Sequence, residues 1–269
     1  MIKKIPADSP SRRRAPRPNE LLARLSRDDR RRLLRNDKPL ELAFGHVLCE
    51  PGERLHYVYF PVDSIISLVT AIDGHAGLEV GLVGNEGMYG VPLALGVDVS
   101  PLKGLVQGSG TAWRVDALRL RRQLQRSASL RNVLHRYAEV LMIQLSMEAA
   151  CTRFHVVETR LARWLLMTAD RAHADAFHIT HQFLSYMLGV RRVGVTRAAT
   201  ALRRRKLIRY HRGNISIIDR AGLEAASCTC YATAKREYKR TMNGMRPRTG
   251  TVSRGRGAVR ARTSAKQLG

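Results

Sequence analysis

Residues 180–212, THQFLSYMLGVRRVGVTRAATALRRRKLIRYHR, restrict the fold more than any other stretch of the chain. Phe183, Leu184, Met187 and Leu188 recur at helical spacing, and Thr180 stands where a hydroxyl can cap the helix start. Gly189 supplies a tight turn and Val190 packs inside it, while Val193, Ala198, Ala201 and Leu202 are expected to line the inner face of a second helix. Helix, short turn and helix make a helix-turn-helix, whose second member can enter the DNA major groove. Arg191, Arg192, Gly194, Thr196 and Arg197 are left on the groove side, where guanidinium forks pair with guanine or phosphate and a hydroxyl suits phosphate. Arg192 and Arg197, at the start of that helix, are the stronger candidates. Arg203, Arg204, Arg205 and Lys206 read first as a solvated basic face, with Arg203 retained among the DNA-facing candidates.

The pattern then changes to period two. Leu207, Ile208 and Tyr210, then Ile215, Ile217 and Ile218, flank a turn expected at Gly213-Asn214. Such a hairpin is a wing beside the recognition helix, and it adds His211 and Arg212 to the DNA-facing set. Asp219 is expected to cap one last helix through Leu223, Ala226, Tyr231 and Ala234. Residues 171–242 thus read as a winged helix-turn-helix. Charge points the same way: 171–242 hold 15 Lys and Arg against 4 Asp and Glu, whereas 19–170 hold 19 against 17. A field of that sign attracts a polyanion by counterion release. The ends, 1–18 and 243–269, are also basic and read as disordered tails, open to non-specific DNA contact.

The front half has another grammar. After opening helices around Leu21–Leu34, with Ser26 in a capping position, short strand-like runs follow at 40–44, 47–49, 57–60, 64–70, 77–82, 104–107 and 111–115. Pro51-Gly52-Glu53, Asp73-Gly74 and Gly84-Asn85-Glu86-Gly87 separate them as turns. Many short strands imply an antiparallel β-barrel or jelly roll over 19–128, with Asp116 capping a helix at 117–125. Over 129–150, Leu130, Val133, Leu134, Tyr137, Val140, Leu141 and Leu145 form an apolar stripe, expected to be a two-chain seam. A connecting helix, 151–170, carries Leu161, Trp164, Leu165 and Thr168 on one side. The fold class is therefore α+β: N-terminal barrel, long dimerisation helix and C-terminal winged helix-turn-helix.

No run reaches the ~18 apolar residues of a membrane span, and no apolar signal core follows the basic start, so a cytoplasmic setting is expected. No phosphate-binding Gly loop, nucleophile elbow or zinc-protease motif occurs, so no catalysis is expected. Cys49, Cys151, Cys228 and Cys230 lack zinc-finger spacing, and Cys228-x-Cys230 alone is too little to hold a metal. Cys151, His155 and Glu158 share a helix face that could supply three ligands, and His173, His178 and His181 form a looser group; without a fourth ligand, no metal or cofactor is assigned. A metal-dependent sensor on that face and a non-specific nucleic-acid binder using the tails stand as alternatives.

From residue 19 to about 242, the order of barrel, long helix and winged reader resembles the Crp/Fnr family of bacterial transcription regulators. Local likenesses are Pro51-Gly52-Glu53 followed by Tyr57-Val58-Tyr59-Phe60, Gly84 to Gly90 at the family's phosphate-cassette turn, and Leu188-Gly189-Val190-Arg191-Arg192 with Thr196-Arg197. The resemblance implies a homodimeric, sequence-specific regulator bound to double-stranded DNA at a palindromic operator, with RNA polymerase as a further partner. Its recognition helix places an arginine, a glutamate and a later arginine on DNA; Arg192 and Arg197 match, while Val193 stands at the glutamate position. Without that acceptor for a cytosine amino group, a different operator is expected. In cyclic-nucleotide-binding members a Gly-Glu and an Arg-Ser pair hold the ligand; here Gly90 is followed by Val91, and Ser100 and Lys103 stand near the arginine position. These four mark the effector pocket the resemblance implies, with cyclic-nucleotide binding expected to be lost for want of a guanidinium fork. The effector is unassigned. The first 48 residues contain no cysteine, against an iron–sulfur sensor.

Overall fold

A computed structural model describes residues 18–244 except Asn36, Asp73 and Gly74. Both basic tails, but for Pro18, Asn243 and Gly244, and the Asp73-Gly74 turn lie outside the described residues. The chain opens with α1 (Glu20–Ala23) and α2 (Arg27–Leu34), capped by the Asn19 and Ser26 side chains. Strands β1 (Leu40–Leu42), β2 (Val47–Cys49), β3 (Tyr57–Pro61), β4 (Ile65–Ile72) and β5 (His75–Val83) come next, then a short α3 (Val91–Ala94), β6 (Lys103–Gly108) and β7 (Gly110–Asp116). They form two antiparallel sheets, β1-β7-β3 and β2-β6-β4-β5. Leu42, Val58, Phe60, Ala112 and Val115 from one and Ile66, Leu68, Val83 and Val106 from the other meet in one core.

Helices α4 (Ala117–Arg126), capped by Asp116, and α5 (Ala128–Phe154), capped by Ser127, continue the chain. Most of the stripe expected to be a two-chain seam packs within the chain itself, with Leu145 half-buried. Leu130, Leu134, Tyr137 and Val140 are buried in the same core as the sheets, and Val133 and Leu141 pack against it. Two small sheets expose an apolar face that needs a cover, and this stripe supplies it. Tyr137 lies so close to Gly87 that a Cβ there would overlap its phenol ring. A second row, Asn132, His135, Glu139, Met142, Ser146, Ala149 and Arg153, keeps three-and-four spacing and stays exposed.

Helix α6 (Val157–Ala172) starts after a break at His155-Val156. Then come β8 (Ala176–His178), α7 (His181–Leu188), α8 (Arg192–Arg204), β9 (Ile208–His211), β10 (Asn214–Ile217), α9 (Arg220–Ala226) and α10 (Cys230–Met242). Leu161, Ala162, Trp164, Leu165 and Leu166 of α6 sit in a second core with Leu184, Leu188, Val195, Leu202, Ile215 and Leu223. The single last helix expected after Asp219 is two: Asp219 caps α9, the chain is extended at Ser227, and α10 starts afresh and packs back along α5. No helix of the described residues is long and apolar enough to cross a membrane.

Polar contacts join the two cores. Trp164 Nε1 donates to Glu79 Oε1 at 2.8 Å and Ser67 Oγ donates to Glu79 Oε2 at 2.6 Å. Arg171 pairs with Glu86 at 2.9 Å, and Tyr238 Oη donates to the Glu86 carbonyl at 3.0 Å. Burial pushes the Glu79 carboxyl up to about 7 despite the two donors. Raised above its unfolded range, Glu79 stays protonated longer in the folded chain, so stability falls as pH rises from about 4.5 to about 7. Glu79→Gln should flatten that part of the pH dependence of chemical unfolding and remove a step near pH 7 from the fluorescence of Trp164. Leu134→Ala should cost about 2–5 kcal/mol in the same assay, as for a buried leucine in a monomer core. An effect on subunit dissociation with unfolding unchanged would return Leu134 to a seam.

Candidate nucleic-acid interface

The reader is built from local rules. Thr180 Oγ1 accepts from the Phe183 N–H at 3.1 Å and starts α7; Gly189, at φ +61°, ends it in the left-handed conformation. Arg191 is the N-cap of α8, which sets the helix phase. Val195, Ala198, Ala199 and Leu202 therefore face inward, at i, i+3, i+4 and i+7. Val193, expected inside, is 54% exposed, and Ala201 is half-buried.

On the outward side Arg191, Arg192, Thr196 and Arg197 are exposed and Gly194 is half-exposed with open space where a Cβ would stand. Among the described residues, Arg191, Arg192, Arg197, Arg203 and Arg212 form no ion pair with a carboxylate. Arg205 differs, pairing with Glu158 at 3.0 Å. Thr196 Oγ1 donates to the Arg192 carbonyl at 3.1 Å and lies 3.1 Å from His181 Nδ1, whose ring stacks on Tyr210 at 4.2 Å. Burial, then the Arg192 charge, holds His181 below the ordinary histidine range. This cluster, which sequence pattern did not reveal, ties α7 and α8 to the wing.

The wing differs by one residue from expectation. Asn214 pairs with His211, so Arg212 and Gly213 form the turn, at φ +45° and +83°. Positive φ at both central residues matches the twist of a two-residue hairpin. His211 and Arg212 are exposed at its tip. β8, absent from the sequence reading, pairs with β10 as a third strand.

Each residue of the implied effector pocket is packed or paired within the chain. Gly90, at φ +96°, precedes α3, and a Cβ on it would stand 2.7 Å from Val58 Cγ1. Val91 is buried, Ser100 Oγ donates to the Leu102 carbonyl at 2.6 Å, and Lys103 pairs with Glu50 at 2.8 Å. A cavity of about 710 Å³ lies instead between the two cores, lined by residues including Glu86, Asp170, Arg171, Tyr231 and Tyr238.

The metal candidates are also redistributed. Glu158 is occupied by Arg205, while Cys151 and His155 meet Cys228 and Cys230. The three other histidines part company: His178 Nδ1 is 3.1 Å from Asn214 Oδ1, His181 joins Thr196 and Tyr210, and His173 ends α6.

Residues 159–226 match the Crp-like helix-turn-helix domain. No curated protein matches the chain significantly. Solved structures do: FixK2 from Bradyrhizobium japonicum, at 13% identity and TM-score 0.61, over 71% of this chain and 97% of that one. A CRP-family transcriptional regulator from Thermus thermophilus gives 16% and 0.59, over 70% and 96%. The c-di-GMP-responsive global regulator CLP of Xanthomonas campestris gives 16% and 0.58, over 71% and 99%. At these identities the likeness is one of fold.

Proposed function

We propose that the chain, with its Crp-like helix-turn-helix and its fold, is a Crp/Fnr-type transcription regulator that acts as a homodimer on a two-fold operator of its own. The observation that carries this is the set of arginines free of carboxylates at the start of α8 and the wing tip, on a helix whose N-terminal dipole adds to their field. Arg192 and Arg197 hold base edges or phosphates, and Arg191, Thr196, Arg203, His211 and Arg212 hold the backbone. Exposed Val193 replaces a carboxylate with an apolar contact that fits a thymine methyl group better than a cytosine amino group.

The row Met142, Ser146 and Ala149 on α5 is the surface for the second copy. Met142 is 60% exposed, and small residues follow it at helical spacing, which lets two helices approach. Pairing there sets two recognition helices about one DNA turn apart, ~34 Å. The engaged Lys103 and buried Val91 support loss of cyclic-nucleotide binding, and an input to the sheets acts by altering how the paired α5 helices pack. Contact with RNA polymerase follows from where the operator lies beside a promoter.

Genome-wide mapping of bound DNA should return a two-fold motif with that spacing. In binding assays on the motif, Arg192→Ala and Arg197→Ala should each cost about 1–3 kcal/mol of selective affinity, tenfold or more, and leave salt-sensitive background binding. Unchanged selectivity in both variants would favour the non-specific binder using basic tails.

A further inference from the structure

Three of the four cysteines in the chain converge with a histidine at one point. Cys151 is in the last turn of α5, His155 ends it, Cys228 lies between α9 and α10, and Cys230 starts α10. One ligand atom from each lies within 4.8 Å of all the others. Cys151 Sγ is 3.5 Å from Cys228 Sγ, and Cys230 Sγ is 3.7 Å from His155 Nδ1.

Those separations have a chemical meaning. Zinc binds thiolate sulfur at about 2.3 Å and imidazole nitrogen at about 2.0–2.1 Å in a tetrahedron, so its ligand atoms stand about 3.5–3.8 Å apart. These two separations fall in that range. An iron–sulfur cluster interposes its own sulfides and needs its thiolates further apart than one compact tetrahedron. A Cys151–Cys228 disulfide would use two of the four groups and leave Cys230 and His155 without a role. Three thiolates and an imidazole around a divalent ion carry a net charge of −1. Buried Arg163 and Arg160 on α6 interact electrostatically with the cysteines and can balance it, with Glu148 paired to Arg163. A groove of about 880 Å³ along α9 and α10, lined in part by Ser227, Cys228 and Thr229, gives a route in.

The geometry points to a mononuclear Cys3His site for a zinc-class divalent ion, held by Cys151, His155, Cys228 and Cys230, that clamps the end of α5 to the start of α10. α5 covers the sheets and α10 leaves the reader, so the ion ties the two cores together at the break between α5 and α6. The site stands on its own donors and does not depend on how the reader contacts DNA.

The test uses the purified full chain in reducing buffer, stripped of metal and titrated with Zn2+ or Co2+ alone. One ion per chain is expected by elemental analysis, with Co2+ giving thiolate-to-metal charge-transfer bands and the visible absorption of a tetrahedral centre. Zn2+ should raise the thermal midpoint, as any ligand bound to the folded chain alone does. Cys230→Ser and His155→Gln, both at partly exposed positions, should each weaken Co2+ binding at least about tenfold and remove or shift those bands, while Glu158→Gln leaves them unchanged. Circular dichroism of each metal-free variant checks that it is folded. Absence of charge-transfer bands in folded parent protein, a parent-like spectrum in folded Cys230→Ser, or a Cys151–Cys228 disulfide whose reduction restores no metal binding would overturn the assignment.

Discussion

The burial of one face of α5 under the two sheets fixes the placement of most other features of the chain. Leu130, Leu134, Tyr137 and Val140 sit in the sheet core, and close packing allows them little axial rotation. The Met142, Ser146 and Ala149 row is therefore turned outward, and Cys151 and His155 are delivered to a set point at the far end. The turn Gly84–Gly87 depends on the same helix: Gly87 has no side chain because the Tyr137 phenol fills that space. The likeness of this turn to a phosphate cassette thus has a packing basis here. It seats α5 and, through Glu86, pairs with Arg171 of α6.

Polar groups form part of the contact between the two cores. Glu79 with Trp164 and Glu86 with Arg171 bridge them, beside a tilted ring contact between Phe44 and Phe183. Removing one member of a buried polar pair costs more than the pair contributes. Glu79, whose carboxyl burial pushes up to about 7, lies at that contact.

Much of this is legible in the sequence, and what is not has definite causes. All seven strands of the sheets lie where turn signals and β-rich runs put them, and Thr180, Gly189, Asp116 and Asp219 play their expected local parts. These features are set within a few residues of chain. Helical periodicity identifies the apolar stripe of α5 but not what covers it, which for most of its length is the sheets of the same chain. Val193 is misplaced because the inner phase depends on where α8 begins, and Arg191 as N-cap puts it at Val195. The wing turn slips by one because Arg212 accepts a left-handed conformation usually left to Gly or Asn. Strand β8 is three residues long and carries no alternation to read, and the break at Ser227–Thr229 contains neither Pro nor Gly. The Cys3His cluster draws its ligands from positions 77 residues apart, a closeness that spacing rules do not report.

Net charge and usable charge also separate here. Composition gives the reader a large basic excess, but part of it is committed internally: Arg205 to Glu158, Arg220 to Asp170, Lys235 to Asp170 and Arg240 to Glu237. Those groups hold α6, α8, α9 and α10 in place, and neutralised cations release few counterions from DNA. Arg191, Arg192, Arg197 and Arg212 are not committed, and they lie at one helix start and one hairpin tip. Exposed side chains at those places keep their rotamer freedom, so any ligand that fixed them would do so against ordering entropy. Thr196 escapes that cost. Its hydroxyl is already held between the Arg192 carbonyl and His181, and the stacked His181 and Tyr210 rings carry that rigidity to the wing. Arginine thus supplies the field at this surface, and the Thr196, His181 and Tyr210 cluster supplies the frame that aims it.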